Sequence, residues 1–284
     1  MTHALNLLTK SQVEDFSEQG YLVIRGFYEY HKEIEPIQYG IWKIIGILLK
    51  KYSIGVEQKT FSSDNFDYGY QQLIGTNRQY GGEVYDAVKQ IPAFIRLLSS
   101  NKNEQIFSQL RHTDDAGIAA GGYGIRIDNP HEDKYRTLLH YEYRDQLRSI
   151  DGIVFWSPLV SITSDLGPVK ICPKSHHEGL RRSYLRDPEN PEKTGAFAMR
   201  LENEAALTEK YGFVAPLSNP GDLILMDFLT LHSSGINIAS RSRWSMQFRY
   251  FNFSHPSGIN INWSGCVANG KQLKDIHPEL VIDN

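Results

Sequence analysis

Six histidines in this chain are followed two residues later by a carboxylate: His31/Glu33, His112/Asp114, His131/Asp133, His140/Glu142, His176/Glu178 and His277/Glu279. On a β-strand residues i and i+2 point to the same side, so such a pair can present a nitrogen and an oxygen to one cation. Two histidines and one carboxylate on one face form the ligand set of non-haem Fe(II) oxygenases, which leave the other metal positions open. The spacing alone is weak, because a surface strand of alternating polarity produces the same pattern and one site uses only one pair. His131/Asp133 follows Asn129-Pro130 in a charged turn, and His112/Asp114 sits where a helical run ends, so both read as solvated groups. His140/Glu142 instead continues the apolar run Thr137-Leu138-Leu139 and is followed by Ile150 to Trp156, which is where a ligand pair would face a barrel interior.

A further histidine lies in LILMDFLTLHSSGINIASRSRWSMQFRY. His232 and Ser234 share strand parity, so a third ligand would stand beside a hydroxyl in the same cavity. Arg243 follows eleven residues after His232, in a run that alternates Arg243, Ser245 and Gln247 with Trp244, Met246 and Phe248. This could be a surface strand with an ordinary arginine. It could equally carry a guanidinium fork for one end of a dicarboxylate whose other end chelates the metal.

The elements that must position these residues change in texture along the chain. Thr9 and Ser11 are followed three residues later by Gln12 and Glu14, a capping-box pattern, and Gly20 can stop the helix they start. Tyr21 to Ile24 reads as a strand. Ile34, Ile37, Ile41, Ile44, Ile45 and Leu48 recur at helical spacing, as do Phe94, Leu97, Leu98 and Phe107 after Pro92. Phe66 to Tyr85, with four tyrosines among Gly, Asn and Gln, reads as a long loop that could serve as a lid. From Tyr123 onward the pattern becomes β-rich: Tyr123 to Asp128, Arg136 to Tyr143, Ile150 to Trp156, Val169 to Cys172, Asp222 to Asp227 and Arg243 to Phe251. Such runs, punctuated by Asn-Pro and Gly-Pro turns, predict an antiparallel sandwich, barrel or jelly roll. Residues 181–215 read as a polar excursion from the sheet.

Composition narrows the classes. The 284 residues are 40% hydrophobic, enough for a sizeable core, and 30 Lys+Arg against 33 Asp+Glu give a net charge of −3. No basic field favours nucleic acid or an anionic membrane. No P-loop or GxGxxG is present. Cys172 and Cys266 form neither a disulfide framework nor a CxxC site, and no basic-plus-apolar leader opens the chain. A cytoplasmic protein, monomeric or homodimeric, is the expectation.

With these residues in hand, the chain resembles the phytanoyl-CoA dioxygenase family, including its ectoine-hydroxylase-like members, from about Leu8 to Tyr250. LTKSQVEDFSEQGYLVIRGF is similar to the family's first helix and strand, LGPVKICPKSHHEG to its G-P turn, strand and P-x-S-H segment, and NPGDLILMDFLTLHSSGINIASRSRWSMQFRY to its distal-histidine strand. The resemblance implies a mainly β, cupin-like jelly roll, the double-stranded β-helix, with a helical N-terminal portion. It implies one domain over residues 1–284, with helical support mostly in 1–115 and the jelly-roll core at about 120–255. It further implies Fe(II) bound by His140, Glu142 and His232, and 2-oxoglutarate held by Arg243 and Ser234. Trp156 would line the cavity, and Tyr123 and Arg126 are candidates for the second carboxylate. Arg241 and Arg249 are the alternatives to Arg243. The activity implied is hydroxylation of a small metabolite with O2, releasing succinate and CO2. A cupin-like metalloenzyme without 2-oxoglutarate, or a non-catalytic jelly-roll binding protein, would use the same fold.

One departure stands out: the family's usual carboxylate is Asp, and here it is Glu142. Halogenating relatives replace that carboxylate by a small residue, so Glu142 favours hydroxylation. No basic cluster suits the phosphates of CoA, so an acyl-CoA is not expected. His176 and His177 resemble structural turn residues, and His255 and His277 read as surface groups. Tyr68, Tyr70 and Arg78 could touch substrate or simply pack on the barrel.

Overall fold

In the computed structural model of the chain, residues 7–192 and 199–282 are described. Helix α1 (Lys10–Gln19) starts at Thr9, whose hydroxyl accepts from the Gln12 amide while the Gln12 side chain accepts from the Thr9 amide. It ends at Gly20, which takes a φ of 75° before strand β1 (Tyr21–Ile24). A short π-helical turn, Tyr30–Ile34, leads into α2 (Glu35–Lys51), which buries Ile37, Ile41, Ile45 and Leu48 as their spacing requires.

The segment expected to be a loop is helical instead: α3 (Tyr70–Thr76) and α4 (Arg78–Val88) follow each other, with Asn77 capping the second. Phe66, Tyr70, Leu73, Val84 and Val88 are fully or almost fully buried there. Few apolar positions among several glycines hid this period, and packing against the sheet supplies what propensity does not. The run after Pro92 divides into α5 (Pro92–Leu98) and α6 (Asn101–Arg111).

The remaining elements are β2 (Ala116–Ile118), β3 (Gly124–Asp128), α7 (Glu142–Gln146), β4 (Gly152–Pro158), β5 (Val169–Ile171), β6 (Ser183–Tyr184), β7 (Arg200–Leu201), α8 (Glu204–Tyr211), β8 (Leu223–Asp227), β9 (His232–Ser234) and β10 (Arg243–Asn252). Three short helices, α9 (Pro256–Asn260), α10 (Cys266–Asn269) and α11 (Leu273–Ile276), precede β11 (Val281–Ile282). The excursion at 181–215 contains β6, β7 and α8, and its residues 193–198 lie outside those described.

Two antiparallel sheets form the double-stranded β-helix. The larger runs β1-β8-β4-β10, and β10 is long enough to pair with β3 at one end and β2 at the other. The smaller pairs β5 with β9 and is widened by single bridges, His140 to His232 and Ile171 to Val214. A cavity of about 320 Å³ lies between them, lined by Trp156 and Met226 from the larger sheet and by Val169, His232 and Ser234 from the smaller. Trp244, Met246 and Phe248 alternate to the opposite face of β10, are fully buried, and carry the helical layer. Tyr70 meets Trp244 edge-on at 5.0 Å, and the Tyr250 hydroxyl donates to Leu98 O at 2.7 Å. Among the described residues no helix is long and apolar enough to cross a membrane.

Gly20 ties α1 to the smaller sheet. A Cβ there would lie 2.3 Å from His176 Nδ1 and 2.5 Å from Thr230 Oγ1, at a left-handed φ. Gly20→Ala is therefore expected to lose roughly 2 kcal/mol or more in urea unfolding, from strain plus overpacking. An unchanged midpoint would show that the helix end can move aside at no energetic expense.

Candidate metal centre

His140 and His232 are directly opposite each other and exchange both backbone hydrogen bonds, His140 N to His232 O at 3.0 Å and His232 N to His140 O at 2.9 Å. A residue pair bonded in this way sets both side chains on one face, and the two rings stand 4.2 Å apart. Each ring is locked by the same contact: Nδ1–H donates to the carbonyl two residues back, Leu138 O for His140 and Thr230 O for His232, both at 2.9 Å. That assignment leaves Nε2 of each ring as a lone-pair donor aimed inward.

Glu142 reaches the same point by a route other than the one expected. The strand predicted over Arg136 to Tyr143 does not form: His140 makes a single bridge, Tyr141 is extended at φ −118° and ψ 145°, and Glu142 opens α7. One extended residue suffices to keep 140 and 142 on one side while the Tyr141 ring turns away, its hydroxyl donating to Arg181 O at 2.9 Å. The chain must turn into a helix here because Tyr143 N is already bonded to Phe228 O and the next sheet strand starts only at Gly152.

The Glu142 carboxylate is 2% exposed. Oε1 accepts from Arg249 Nε at 2.9 Å, whereas Oε2 is buried without any hydrogen-bond partner and lies 3.6 Å from His232 Nε2 and 4.0 Å from His140 Nε2. Burial alone would raise this carboxyl, but the Arg249 guanidinium beside it reverses the effect and holds it well below the usual carboxylate range. Burial and the neighbouring His232 keep the His140 imidazole well below its ordinary pKa, hence neutral. The three donor atoms fall within 4.8 Å of one another. Donors about 2.1 Å from a shared ion are themselves about 3 to 4 Å apart, the spacing that Oε2 keeps from both rings. An ionised oxygen without a partner, facing two imidazole Nε2 atoms whose Nδ1–H groups are already committed to carbonyls, is a chemical environment that a divalent cation completes.

The rest of the cavity carries a second charge cluster. Arg243 and Asp128 are cross-strand partners on β10 and β3, as are Ser245 and Arg126. Asp128 Oδ2 accepts from Arg243 Nη2 at 2.7 Å, and Arg126 Nε lies 2.9 Å from both Asp128 oxygens. Arg243 Nη2 also donates to Ser234 Oγ at 3.2 Å, while its Nη1 is buried and has no partner. Thr137, Ser234, Arg126, Arg243, Gln247 and Trp156 all line the cavity. Tyr123 does not; it packs edge-on against Phe94. Arg241 also lies elsewhere, paired with Asp67 at 2.9 Å.

The sequence left Asp128 without a role and named Arg249 only as an alternative to Arg243, whereas the structure sets it on Glu142. Asp128 was within an identified strand, and its parity with Arg126 was the available signal. Arg249 continues the alternation of Arg243, Ser245 and Gln247, but no pattern names Glu142 as its partner. The other His-x-acid pairs are dispersed. His112 caps α6, His131 occupies a turn at φ 58°, His31 pairs with Glu35, and His277 bonds Tyr143 and Glu279. His176 and His177 place Nε2 3.0 Å from Ser17 O and Glu18 O, a structural clasp on α1. His255 caps α9.

Known proteins bear on this arrangement. The family described as phytanoyl-CoA dioxygenase (PhyH) matches residues 16–245. A Dictyostelium discoideum protein named phytanoyl-CoA dioxygenase domain-containing protein 1 homolog is 24% identical over 284 residues, spanning 90% of this chain and 96% of that one. Among solved structures, the non-heme alpha ketoglutarate dependent carbocyclase SnoK from nogalamycin biosynthesis superposes with a TM-score of 0.56 at 16% identity, covering 87% of this chain and 85% of its own. EctD from S. alaskensis in its apoform superposes at 0.54 and 16% identity, covering 99% and 90%. At such identities the structural likeness is one of fold.

Asp128 supplies a pH test. Burial opposes its ionisation, yet Arg126 and Arg243 together lower its pKa from the usual 3.8 to about 2. A depressed folded-state pKa contributes stability that is full above the unfolded value and is lost as pH falls through the folded one, here between about pH 4 and pH 2. The gap in unfolding free energy between wild type and Asp128→Asn is expected to be about 2 kcal/mol at pH 6 and to shrink across that window. A gap independent of pH would show that the aspartate acts by packing rather than charge.

Proposed function

This chain belongs to the phytanoyl-CoA dioxygenase family, and on that premise we propose that His140, Glu142 and His232 hold Fe(II) while the adjoining cavity binds 2-oxoglutarate. The chain is a 2-oxoglutarate-dependent dioxygenase by family, and the reaction proposed is hydroxylation of a small molecule. The observation that carries the site assignment is Glu142 Oε2, buried, ionised and unpartnered between two imidazole Nε2 atoms whose tautomers are already set.

Bound iron supplies the oxygen chemistry, coupling oxidative loss of CO2 from 2-oxoglutarate, which leaves succinate, to insertion of oxygen into the substrate. The chain's own residues bind and orient. Arg243 offers Nη1, its buried donor without a partner, to the distal carboxylate, with Ser234 and Thr137 as hydroxyl donors beside it. Asp128 holds the Arg243 fork in plane, so little rotamer freedom is lost on binding. Gln247 faces the same cavity and can orient the co-substrate's other end, with Arg126 held beside it by Asp128. Trp156, Val154, Val169 and Met226 make its apolar wall and exclude water.

Charge balance favours a dianion. Arg126, Arg243 and Arg249 stand against Asp128 and Glu142, while Asp145 is matched by Arg144. One positive charge therefore remains before a divalent metal adds two more, and a dicarboxylate offsets most of that sum.

Anaerobic iron loading and aerobic succinate release, measured on the same protein, test the proposal. Glu142→Ala should lower iron affinity by roughly 100-fold and abolish succinate release, whereas Glu142→Asp retains iron and part of the turnover. Wild-type iron content in the alanine variant would remove Glu142 from the ligand set. Arg243→Lys should raise the 2-oxoglutarate KM by roughly 10- to 100-fold in the fraction that stays folded, and an unaltered KM would transfer the role to another cation. Arg249→Gln, which frees Oε1, should weaken iron binding by about 10- to 100-fold. Retained affinity in that variant would mean the carboxylate is held by the fold alone.

A further inference from the structure

Beside the iron cavity the helical layer encloses a second one of about 330 Å³. Tyr85 and Arg126 line both, so the two compartments meet at that pair of side chains. The second compartment is walled by Tyr70, Tyr135 and Ile127 and floored by Gly81 and Gly82 of α4. None of its residues is a candidate metal ligand.

The two arginines that line it are already compensated. Arg78 donates through Nε and Nη2 to the two carboxylate oxygens of Glu132, and its guanidinium lies 5.2 Å over the Tyr135 ring. Arg126 is held by Asp128 and donates through Nη2 to Tyr135 O at 2.9 Å. Lys89, above the Tyr85 ring, is paired with Asp86 at 2.9 Å. An anionic group entering here would have to compete with ion pairs already formed, whereas a neutral group would not. The shape is equally selective. Gly81 is packed, since a Cβ would come within 2.8 Å of Ile74 and 3.1 Å of the Tyr70 hydroxyl, but at Gly82 a Cβ would meet no atom within 4 Å. The helix backbone is thus bare at Gly82, bordered by the side chains packed over Gly81. Tyr85 and Tyr135 are each 41% exposed where the compartment opens, with Lys89 over the one ring and Arg78 and Lys134 over the other.

Resting on the function proposed above, we propose that this compartment selects the substrate by holding its remote part: a neutral, flat ring lying on Gly81 and Gly82 against the tyrosines. The carbon to be oxidised then extends past Tyr85 and Arg126 toward His140, Glu142 and His232. Aromatic faces and a floor without side chains recognise a ring system, and compensated arginines leave no open demand for a charged headgroup.

The test uses 2-naphthol as a neutral ring probe and 2-naphthoate as the anionic counterpart, titrated calorimetrically at pH 7 into the iron-loaded protein saturated with 2-oxoglutarate under nitrogen. Expected are binding of 2-naphthol without release of 2-oxoglutarate, binding of 2-naphthoate about ten-fold or more weaker, and about ten-fold weakening of 2-naphthol by Gly82→Leu and by Tyr135→Ala. Gly82→Leu sits in open space on a helix and adds helix propensity, so its fold is not at risk. Displacement of 2-naphthol by 2-oxoglutarate, preference for the anion, or wild-type affinity in both variants would overturn the proposal. Iron content and 2-oxoglutarate affinity are read in the same wild-type samples. Their absence, with the probe still responding to Gly82→Leu, would fail the proposed oxygenase site and leave the ring compartment standing.

Discussion

Glu142 and Arg249 bury a carboxylate and a guanidinium together in the middle of the molecule, 2.9 Å apart, and the position of nearly every other functional group follows from that contact. An isolated carboxylate at this depth would protonate, because desolvation of the charge is worth several kcal/mol. The pairing keeps it ionised, yet consumes only one of its two oxygens. Arg249 must therefore come from a strand whose register is not free to slip. β10 meets that condition: it pairs with β4 along most of its length, and its outward residues Trp244, Met246 and Phe248 are locked beneath the helices. A slip of one residue would turn Arg249 outward and bring an aromatic ring into the cavity. The helical layer is thus part of the metal centre at one remove.

The extra methylene of Glu142 acquires a physical meaning from the same contact. Glu142 is not carried by a regular strand; it is the first residue of α7, set back from the bridge that joins the histidines. The longer arm lets one oxygen face the imidazoles while the other reaches Arg249 across the sheet. A shorter carboxylate would have to give up one of those contacts or draw the backbone inward. The longer side chain fits a site in which one carboxylate oxygen is fixed by Arg249 and the other faces the imidazoles.

What could be read from residue order was mostly what alternation and capping dictate. The strands that became β3, β4, β5, β8 and β10 were visible within about two residues, because both faces of a jelly-roll strand are specified by apolar content and parity. The Thr9 cap and the Gly20 stop were visible for the same local reason. His140, Glu142 and His232 were legible as a set only because order and spacing resembled a family; parity alone could not separate one pair from six. The failures are those of tertiary override. Residues 136–143 carry strand residues but spend their hydrogen bonds on one bridge and a helix start, while residues 70–88 carry glycines that the sheet's outer face makes helical. The Arg249–Glu142 and Arg243–Asp128 pairings were out of reach because the partners are 107 and 115 residues apart.

Division of labour between the two layers follows from how each is held. Groups facing the metal are fixed by paired strands, reciprocal backbone bonds and buried ion pairs, all of which resist small displacements. The ring compartment is built from helix α4 and the turn at Asp133–Tyr135, where side chains are half exposed and one glycine faces open space. Replacing Gly82, where an added Cβ meets no atom within 4 Å, changes the shape of that compartment without displacing the Glu142–Arg249 pair or the Arg243–Asp128 pair. A scaffold arranged in this way can keep one oxidative chemistry while the surface that chooses the substrate is altered. Arg126 is the exception: it pairs with Asp128, bonds the backbone of Tyr135 and lines both cavities. Displacing that guanidinium would also remove one of the two arginines that hold Asp128, the residue that fixes the Arg243 fork, so the two cavities share one structural element.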